Sequence, residues 1–383
     1  MTATDNYTRT LQQFTLQKIK IVKEAGREKL LGGGSFTSVL ELDYNGLKCA
    51  GKKVHDWLLK DPSSKSKDMV RRFVEECDFL SQIRHPNIVH FLGFYFQPQV
   101  EVPAPILVME FLPIKLTSCI EQYGILPKEI SYTILHDVAL GLCYLHSQIP
   151  PIIHRNLNSH NVLLTPDMTA KISDLGKAKI LMNVQTSSGM TNRPGNDSFM
   201  PPEAMVDKPN YDTCIDEFSY GVIMIHVFSG KWPAPQIGQI HVEGDKLIAI
   251  LEAERREVFL RAIGNGHPLM DLILKCIHND PQTRAHASEI KERLAEMVMQ
   301  FPASFANRLE MLRYIEADKK NSESMTEKIN LLNSDIEHLQ SQVATLTVQN
   351  YDLNEKYVLE MNAQDADETA PRTTKTKLGK VFF

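Results

Sequence analysis

Toward the end of the chain, apolar residues recur at alternating steps of four and three: Met325, Ile329, Leu332, Ile336, Leu339, Val343 and Leu346, then Leu353 and Tyr357 with Asn350 between. That spacing keeps one narrow stripe on one side of a helix, so it predicts a coiled coil over 325–360. With Ile329 at position a, the a sites read Ile, Ile, Val, Asn, Tyr and the d sites Met, Leu, Leu, Leu, Leu, which favours a parallel two-stranded coil. Asn350 in the seam would fix register, at a cost in stability, because its amide is satisfied only by its counterpart across the dimer. A parallel homodimer is therefore the favoured assembly. The flanking Lys328, Asp335, Gln342, Asn333 and Gln340 offer few matched charges, so a heterodimer stays open. The competing reading is one amphipathic helix folded back on the rest of the chain.

Upstream, residues 29–300 carry strand-like segments first and helix-like segments afterwards, which predicts an α+β domain. A helix is expected over roughly Lys67–Arg84. In it Glu76 follows Phe73 by three residues and precedes Leu80 by four, on the stripe that faces the core, whereas Glu75 turns away. A second, very apolar helix is expected over Glu217–Phe228, opened by Asp216. Before the domain, residues 1–28 form a separate segment in which Leu11–Glu24 has apolar spacing compatible with a helix. After it come a helical linker over 301–324, the coiled coil, and a disordered, acidic-then-basic tail over 361–383.

Composition narrows the functional classes. The 383 residues are 43% hydrophobic, enough for a sizeable core, and the formal charge of −5 provides no electrostatic footprint for nucleic acid or an anionic membrane. The N-terminus lacks the apolar core of a signal peptide, and the greasy stretch near Tyr220–Phe228 is too short to span a bilayer, so the expected location is cytoplasmic. Six cysteines lie scattered without Cys-x-x-Cys spacing, which argues against zinc and a disulfide framework.

The chemistry-bearing motifs come in a fixed order. Leu31-Gly32-Gly33-Gly34-Ser35-Phe36-Thr37-Ser38-Val39 resembles a loop that covers nucleotide phosphates, since backbone without Cβ lets N–H groups approach phosphate oxygens. Thr37 stands where a third glycine is usual. Cys49-Ala50-Gly51-Lys52, whose lysine lies thirteen residues after Val39, is similar to the strand whose lysine grips the α and β phosphates. Lys53 points to the other face and is expected to be solvated. Then follow His85-Pro86-Asn87-Ile88, Leu107-Val108-Met109-Glu110-Phe111-Leu112, Pro151-Ile152-Ile153-His154-Arg155-Asn156-Leu157-Asn158-Ser159-His160-Asn161, Asp174-Leu175-Gly176, Met200-Pro201-Pro202-Glu203 and Asp280-Pro281-Gln282-Thr283-Arg284.

Together these motifs resemble a eukaryotic protein kinase domain, closest in flavour to the tyrosine-kinase-like group. The resemblance implies a two-lobed fold, a small β-rich lobe followed by a larger helical one, that binds ATP and Mg2+ in the cleft. It implies that Gly32, Gly34, Val39, Ala50, Lys52, Met109, Glu110 and Leu112 contact ATP, with Met109 as gatekeeper, and that Glu76 holds Lys52. Asn161 and Asp174 take the metal positions of the kinase template. Glu203 and Arg284 become a structural ion pair, and Asp216 the buried support of the catalytic loop. Thr186, Ser187, Ser188, Thr191 and Ser198 are candidate phosphorylation sites that would pair with Arg155. One departure dominates. Asn156 occupies the place of the catalytic-base aspartate, and a neutral amide has no basic site to take a proton. Thr37 and Asn196, the latter where serine/threonine kinases usually carry threonine, are lesser departures. The sequence thus favours a nucleotide-binding pseudokinase, ahead of a slow kinase with serine or threonine favoured over tyrosine and of a scaffold that binds no nucleotide and uses the fold only as a docking surface.

Overall fold

The computed structural model describes residues 15–34, 36–61, 63–97, 105–180, 196–205, 212–233, 263–264, 266–301 and Ser334. The chain divides into one unit over Met1–Leu312 and another over Arg313–Phe383. Apart from Ser334, all described residues belong to the first. The expected linker, coiled coil and tail otherwise lie outside the described residues.

The first part of the domain is an antiparallel sheet. Its strands are β1 (Ile19–Ile21), β4 (Leu30–Gly33), β5 (Thr37–Tyr44), β6 (Leu47–Val54), β7 (Phe91–Phe96) and β8 (Pro105–Glu110), in the order β1-β5-β6-β8-β7 with β4 also on β5. A short hairpin, β2 (Lys23–Glu24) with β3 (Arg27–Glu28), connects β1 to β4. Side chains alternate across the sheet, so its register sorts them into two sets. Leu40, Leu42, Cys49, Ile106 and Val108 gather with Ile19 in one buried cluster. Val54 and Leu107, from the opposite set, join the cluster beneath the sheet.

The helix that the spacing of Leu11–Glu24 permits is not what its described part forms. Ile19–Ile21 pairs with Leu42–Tyr44. Ile19 and Ile21 share one strand face, and pairing along β5 places both against Leu40 and Leu42. Tertiary burial overrides a local spacing that also suited a helix.

Helix α1 (Asp56–Lys60) leads into α2 (Ser64–Gln82), which starts three residues before the expected boundary. The Ser63 hydroxyl accepts from Ser66 N at 3.2 Å and caps its first turn. Phe73, Cys77 and Leu80 on α2 pack with Val54, Leu107, Phe91 and Leu175, so the helix is anchored to both the sheet and the segment after Asp174.

The helical part follows β9 (Ile114–Lys115) and comprises α3 (Leu116–Tyr123), α4 (Lys128–His146), α5 (Pro202–Met205), α6 (Cys214–Ser229), α7 (Met270–Cys276) and α8 (Ala287–Val298). Every residue of α6 is buried, which explains its lack of a polar face. It is held to α4 by the Tyr220 hydroxyl, which donates to Leu135 O at 2.7 Å. Gly221 allows α6 to meet α7, because a Cβ there would lie 2.7 Å from Cys276 Cβ. Short strands β10 (Ile152–Ile153), β11 (Val162–Leu164), β12 (Ala170–Ile172) and β13 (Lys179–Ile180) carry the loops between α4 and α5. β9 and β12 flank β11, and β10 pairs with β13. The α+β architecture, with a β-rich part followed by a helical part, is as expected.

Candidate active site

Lys52 projects from β6 between two carboxylates, the buried Glu76 and the partly exposed Asp174. Its Nζ lies 2.7 and 3.0 Å from the two Glu76 carboxylate oxygens and 2.8 Å from Asp174 Oδ1. Burial pulls the ammonium down, but Glu76 and Asp174 more than offset this and hold its pKa above the usual lysine range. Burial and Asp174 push Glu76 up while Lys52 pulls it down. The ammonium is the charge that keeps three distant segments together. Lys53 is not simply solvated: it points away from the cleft, as expected, but pairs with Glu28 at 3.0 Å and approaches Asp56 at 3.8 Å. The side chain of Glu75 lies outside what is described.

Asp174 sits in the left-handed region at φ 59°, and Leu175 behind it is buried in the cluster under α2. Gly176 then passes so close to α2 that a Cβ would lie 2.7 Å from Glu76 Oε2. The Asp-Leu-Gly turn and the Lys52–Glu76 pair are thus one packed object.

The loop over 154–161 rests on Asp216. Its Oδ2 accepts from His154 N at 2.7 Å and lies 3.0 Å from His146 Nε2, and its Oδ1 accepts from Arg155 N at 2.8 Å. Asp216 lies in the first turn of α6 and is fully buried, so it supports the loop from beneath; the helix begins at Cys214 and Asp216 is not its cap. Arg155 takes φ 62°, a strained conformation for a non-glycine residue. Buried His154 accepts from Asn156 N through Nδ1 at 3.2 Å, which leaves Nε2 to donate to Ser173 O at 2.9 Å.

Asn156 faces Asp174. Its Nδ2 donates to Asp174 Oδ2 at 3.1 Å. Two amides lock its backbone: Asn158 Nδ2 and Asn161 Nδ2 donate to Asn156 O at 2.8 and 2.9 Å. Asn158 also accepts from His160 N at 2.9 Å, so this buried residue is committed to the loop's own shape. Sequence reasoning quoted Asn158 only as part of the loop motif and gave it no role. The signal for its structural role was its spacing, two residues from each end of an Asn-x-Asn-x-His turn.

Because Asn161 uses its amide nitrogen on Asn156, its side-chain oxygen is the atom left for a ligand. Ser173 N and Oγ donate to Asn161 O at 2.8 and 2.9 Å and tie its backbone to the residue preceding Asp174. A carboxylate and an amide oxygen on adjoining segments fit a hard cation such as magnesium.

Strand register assembles the predicted roof. Val39 lies opposite Lys52, and Ala50 opposite Met109, so all four belong to the set facing the lower cluster. Glu110 Oε1 accepts from His90 N at 2.7 Å, and its carboxylate holds Lys171 at 2.7 and 2.9 Å, so its side chain is structural. Leu112 packs against the lower cluster. Gly32 lies in β4 and Gly34 at its end, where Gly34 N donates to Thr37 O at 2.8 Å to close the turn. Thr37 begins β5 and tolerates its side chain for that reason. His55 Nε2 lies 3.1 Å from Gly34 O, a tie to the loop that the sequence did not signal.

Beyond the loop, Glu203 meets Arg284 at 2.5 and 3.0 Å, with the guanidinium fully buried and also donating to His278 O and Cys214 O. A pocket opens between Asn156 and Leu157 on one side and Phe199, Met200 and Pro201 on the other. Asn196 borders it and turns its side-chain oxygen back to Ser198 N. Thr186, Ser187, Ser188 and Thr191 lie outside the described residues.

This arrangement coincides with a match of residues 26–294 to the protein kinase domain model. The chain belongs to the protein kinase domain family. The kinase domain is 30% identical over 272 residues to the mouse serine/threonine-protein kinase TNNI3K, which covers 70% of this chain and 31% of that protein. It is 33% identical over 272 residues to the human TNNI3K, covering 70% and 30%. It is also 30% identical over 258 residues to serine/threonine-protein kinase 12 of Arabidopsis thaliana, covering 67% and 53%. The chain therefore spans less than two thirds of each of these relatives. Among the described residues, no helix is long and apolar enough to cross a membrane.

Proposed function

We propose that this kinase domain binds ATP with Mg2+ between its two parts and that its phosphoryl transfer to protein is strongly attenuated. Lys52, held by Glu76, would grip the phosphates, and Asn161 and Asp174 would hold the metal. Gly32, Gly34, Val39 and Ala50 would cover the nucleotide, and Met109, Glu110 and Leu112 would border its base, with Glu110 contributing backbone because its carboxylate is engaged by Lys171. Bound magnesium supplies charge neutralisation for the phosphoryl group. The observation that carries the reading is the side chain at 156. It is an amide donating to Asp174, and it leaves the hydroxyl acceptor without a carboxylate to take its proton.

Loss of a general base typically costs about 10²- to 10⁴-fold. From a usual kinase turnover of about 1–100 per second, that leaves roughly 10⁻⁴ to 1 per second. A second reading, a slow active kinase, is favoured by the assembled Lys52–Glu76–Asp174 set, since a loose transition state draws mostly on positioning. The names of the relatives support serine or threonine as its acceptor. A parallel coiled-coil dimer and a cytoplasmic location belong to the same proposal. Isothermal titration with ATP in Mg2+ tests the binding claim, with a Kd weakened at least tenfold by Lys52→Met as the expected result. No heat and no thermal shift in the unmodified protein would sink it.

A further inference from the structure

Asp174 is held at both carboxylate oxygens by groups of the protein itself. Lys52 Nζ takes Oδ1 at 2.8 Å and Asn156 Nδ2 takes Oδ2 at 3.1 Å. The orientation of the Asn156 amide is fixed by chemistry: turned over, it would set an oxygen against the carboxylate, and it would lose Asn158 Nδ2, which lies 3.4 Å from Asn156 Oδ1. We propose that Asn156 is a positioning residue for Asp174, an internal donor that occupies the metal-binding carboxylate when no cation is bound and so lowers the site's demand for magnesium. The inference rests on the nucleotide-binding reading for its biological use, though not for its physical content.

A metal ion at Asp174 needs oxygen lone pairs on a carboxylate of full charge. A charge-assisted hydrogen bond from an amide withdraws part of both. A carboxylate at position 156 would do the reverse. It would face Asp174 at hydrogen-bond range, so two like charges would share one side of the site until a cation came between them. The substitution at 156 therefore has two consequences at once. It removes a proton acceptor, and it makes the metal-free cleft electrostatically satisfied. The Asp174 side chain is 37% exposed, so solvent screens part of the effect and the expected changes are modest.

The test compares the unmodified chain with Asn156→Ala and Asn156→Asp, using Mn2+ alone as probe. Mn2+ affinity is read by electron paramagnetic resonance, and thermal midpoints are taken in EDTA and in MnCl2 at constant ionic strength. In EDTA, Asn156→Ala should melt about 2–4 °C lower than the unmodified protein, and Asn156→Asp lower still. Mn2+ affinity should run the other way, about three- to tenfold tighter in Asn156→Ala and tightest in Asn156→Asp. Unchanged Mn2+ affinity in Asn156→Ala would overturn the proposal, even if that variant is less stable, because a merely structural amide would not move the metal constant. Should Asn156→Asp not fold, the alanine variant decides alone. ATP affinity, measured in the same samples, separates this inference from the functional reading. Its absence throughout would sink nucleotide binding and leave the order of Mn2+ constants to judge the role of Asn156.

Discussion

Asp216→Ala removes the support beneath the catalytic loop. The carboxylate is fully buried and accepts two backbone N–H groups, His154 N at 2.7 Å and Arg155 N at 2.8 Å, with His146 Nε2 at 3.0 Å. Alanine leaves three donors facing a small cavity. An orphaned buried donor costs about 1–3 kcal/mol, and breaking a buried charged arrangement about 3–5 kcal/mol in total. Arg155 offsets part of this, since its φ of 62° carries about 1–3 kcal/mol of strain that the freed loop can release. A loss of about 4 kcal/mol is the expected sum, allowing for partial relaxation, against a typical stability of about 5–15 kcal/mol. Asp216→Asn keeps an acceptor for one of the two backbone donors and should cost about half as much. Urea denaturation followed by circular dichroism measures both variants, and ATP titration reads the loop. If Asp216→Ala loses less than about 1 kcal/mol and keeps full ATP affinity, the loop is not held from below and the reasoning fails.

Gly176→Ala should separate Glu76 from Lys52, since the new Cβ would lie 2.7 Å from a carboxylate oxygen pinned by that lysine. A stability loss of about 1–3 kcal/mol and weaker ATP binding by calorimetry are expected. Arg284→Met strands the Glu203 carboxylate and should cost about 3 kcal/mol in chemical denaturation. His226 gives a pH dependence. Burial, and secondarily His160, lowers its pKa to about 4, while its Nδ1 lies 2.8 Å from Ser159 Oγ. The unfolded chain takes up this proton first, near pH 6.5, so stability is complete above that pH and falls as pH drops toward 4, by about 3 kcal/mol in all. Stability curves across this range, beside His226→Gln, should show the variant with the shallower slope.

Much of the site was legible because kinase chemistry is carried by residue types at set spacings. Lys52, Glu76 and Asp174 come together in one ion-pair cluster, and the face of Glu76 followed from helical periodicity alone. Strand alternation likewise separated Lys53 from Lys52, while the sharing of one face by Val39, Ala50 and Lys52 comes from the register of β5 on β6. What escaped was decided by long-range partners. Residues 19–21 form a strand because β5 offers them an edge and a cluster to join. Lys53 is anchored by Glu28, from a hairpin that local spacing did not announce. The engagement of the Glu110 carboxylate by Lys171 and His90 also joins distant segments, and it leaves only the backbone of Glu110 for the expected nucleotide contact. The bond from Asn156 to Asp174 joins residues eighteen apart in sequence, and nothing in either motif alone specifies which amide atom faces the carboxylate.

Single-turnover transfer from radiolabelled ATP, in Mg2+, tests the central claim most directly, with the unmodified protein beside Asn156→Asp and Lys52→Met. The account predicts labelling by Asn156→Asp at least about 10²-fold faster than by the unmodified chain, and none by Lys52→Met. Labelling of the unmodified protein at a rate equal to Asn156→Asp would contradict it, because position 156 would then not limit the chemistry.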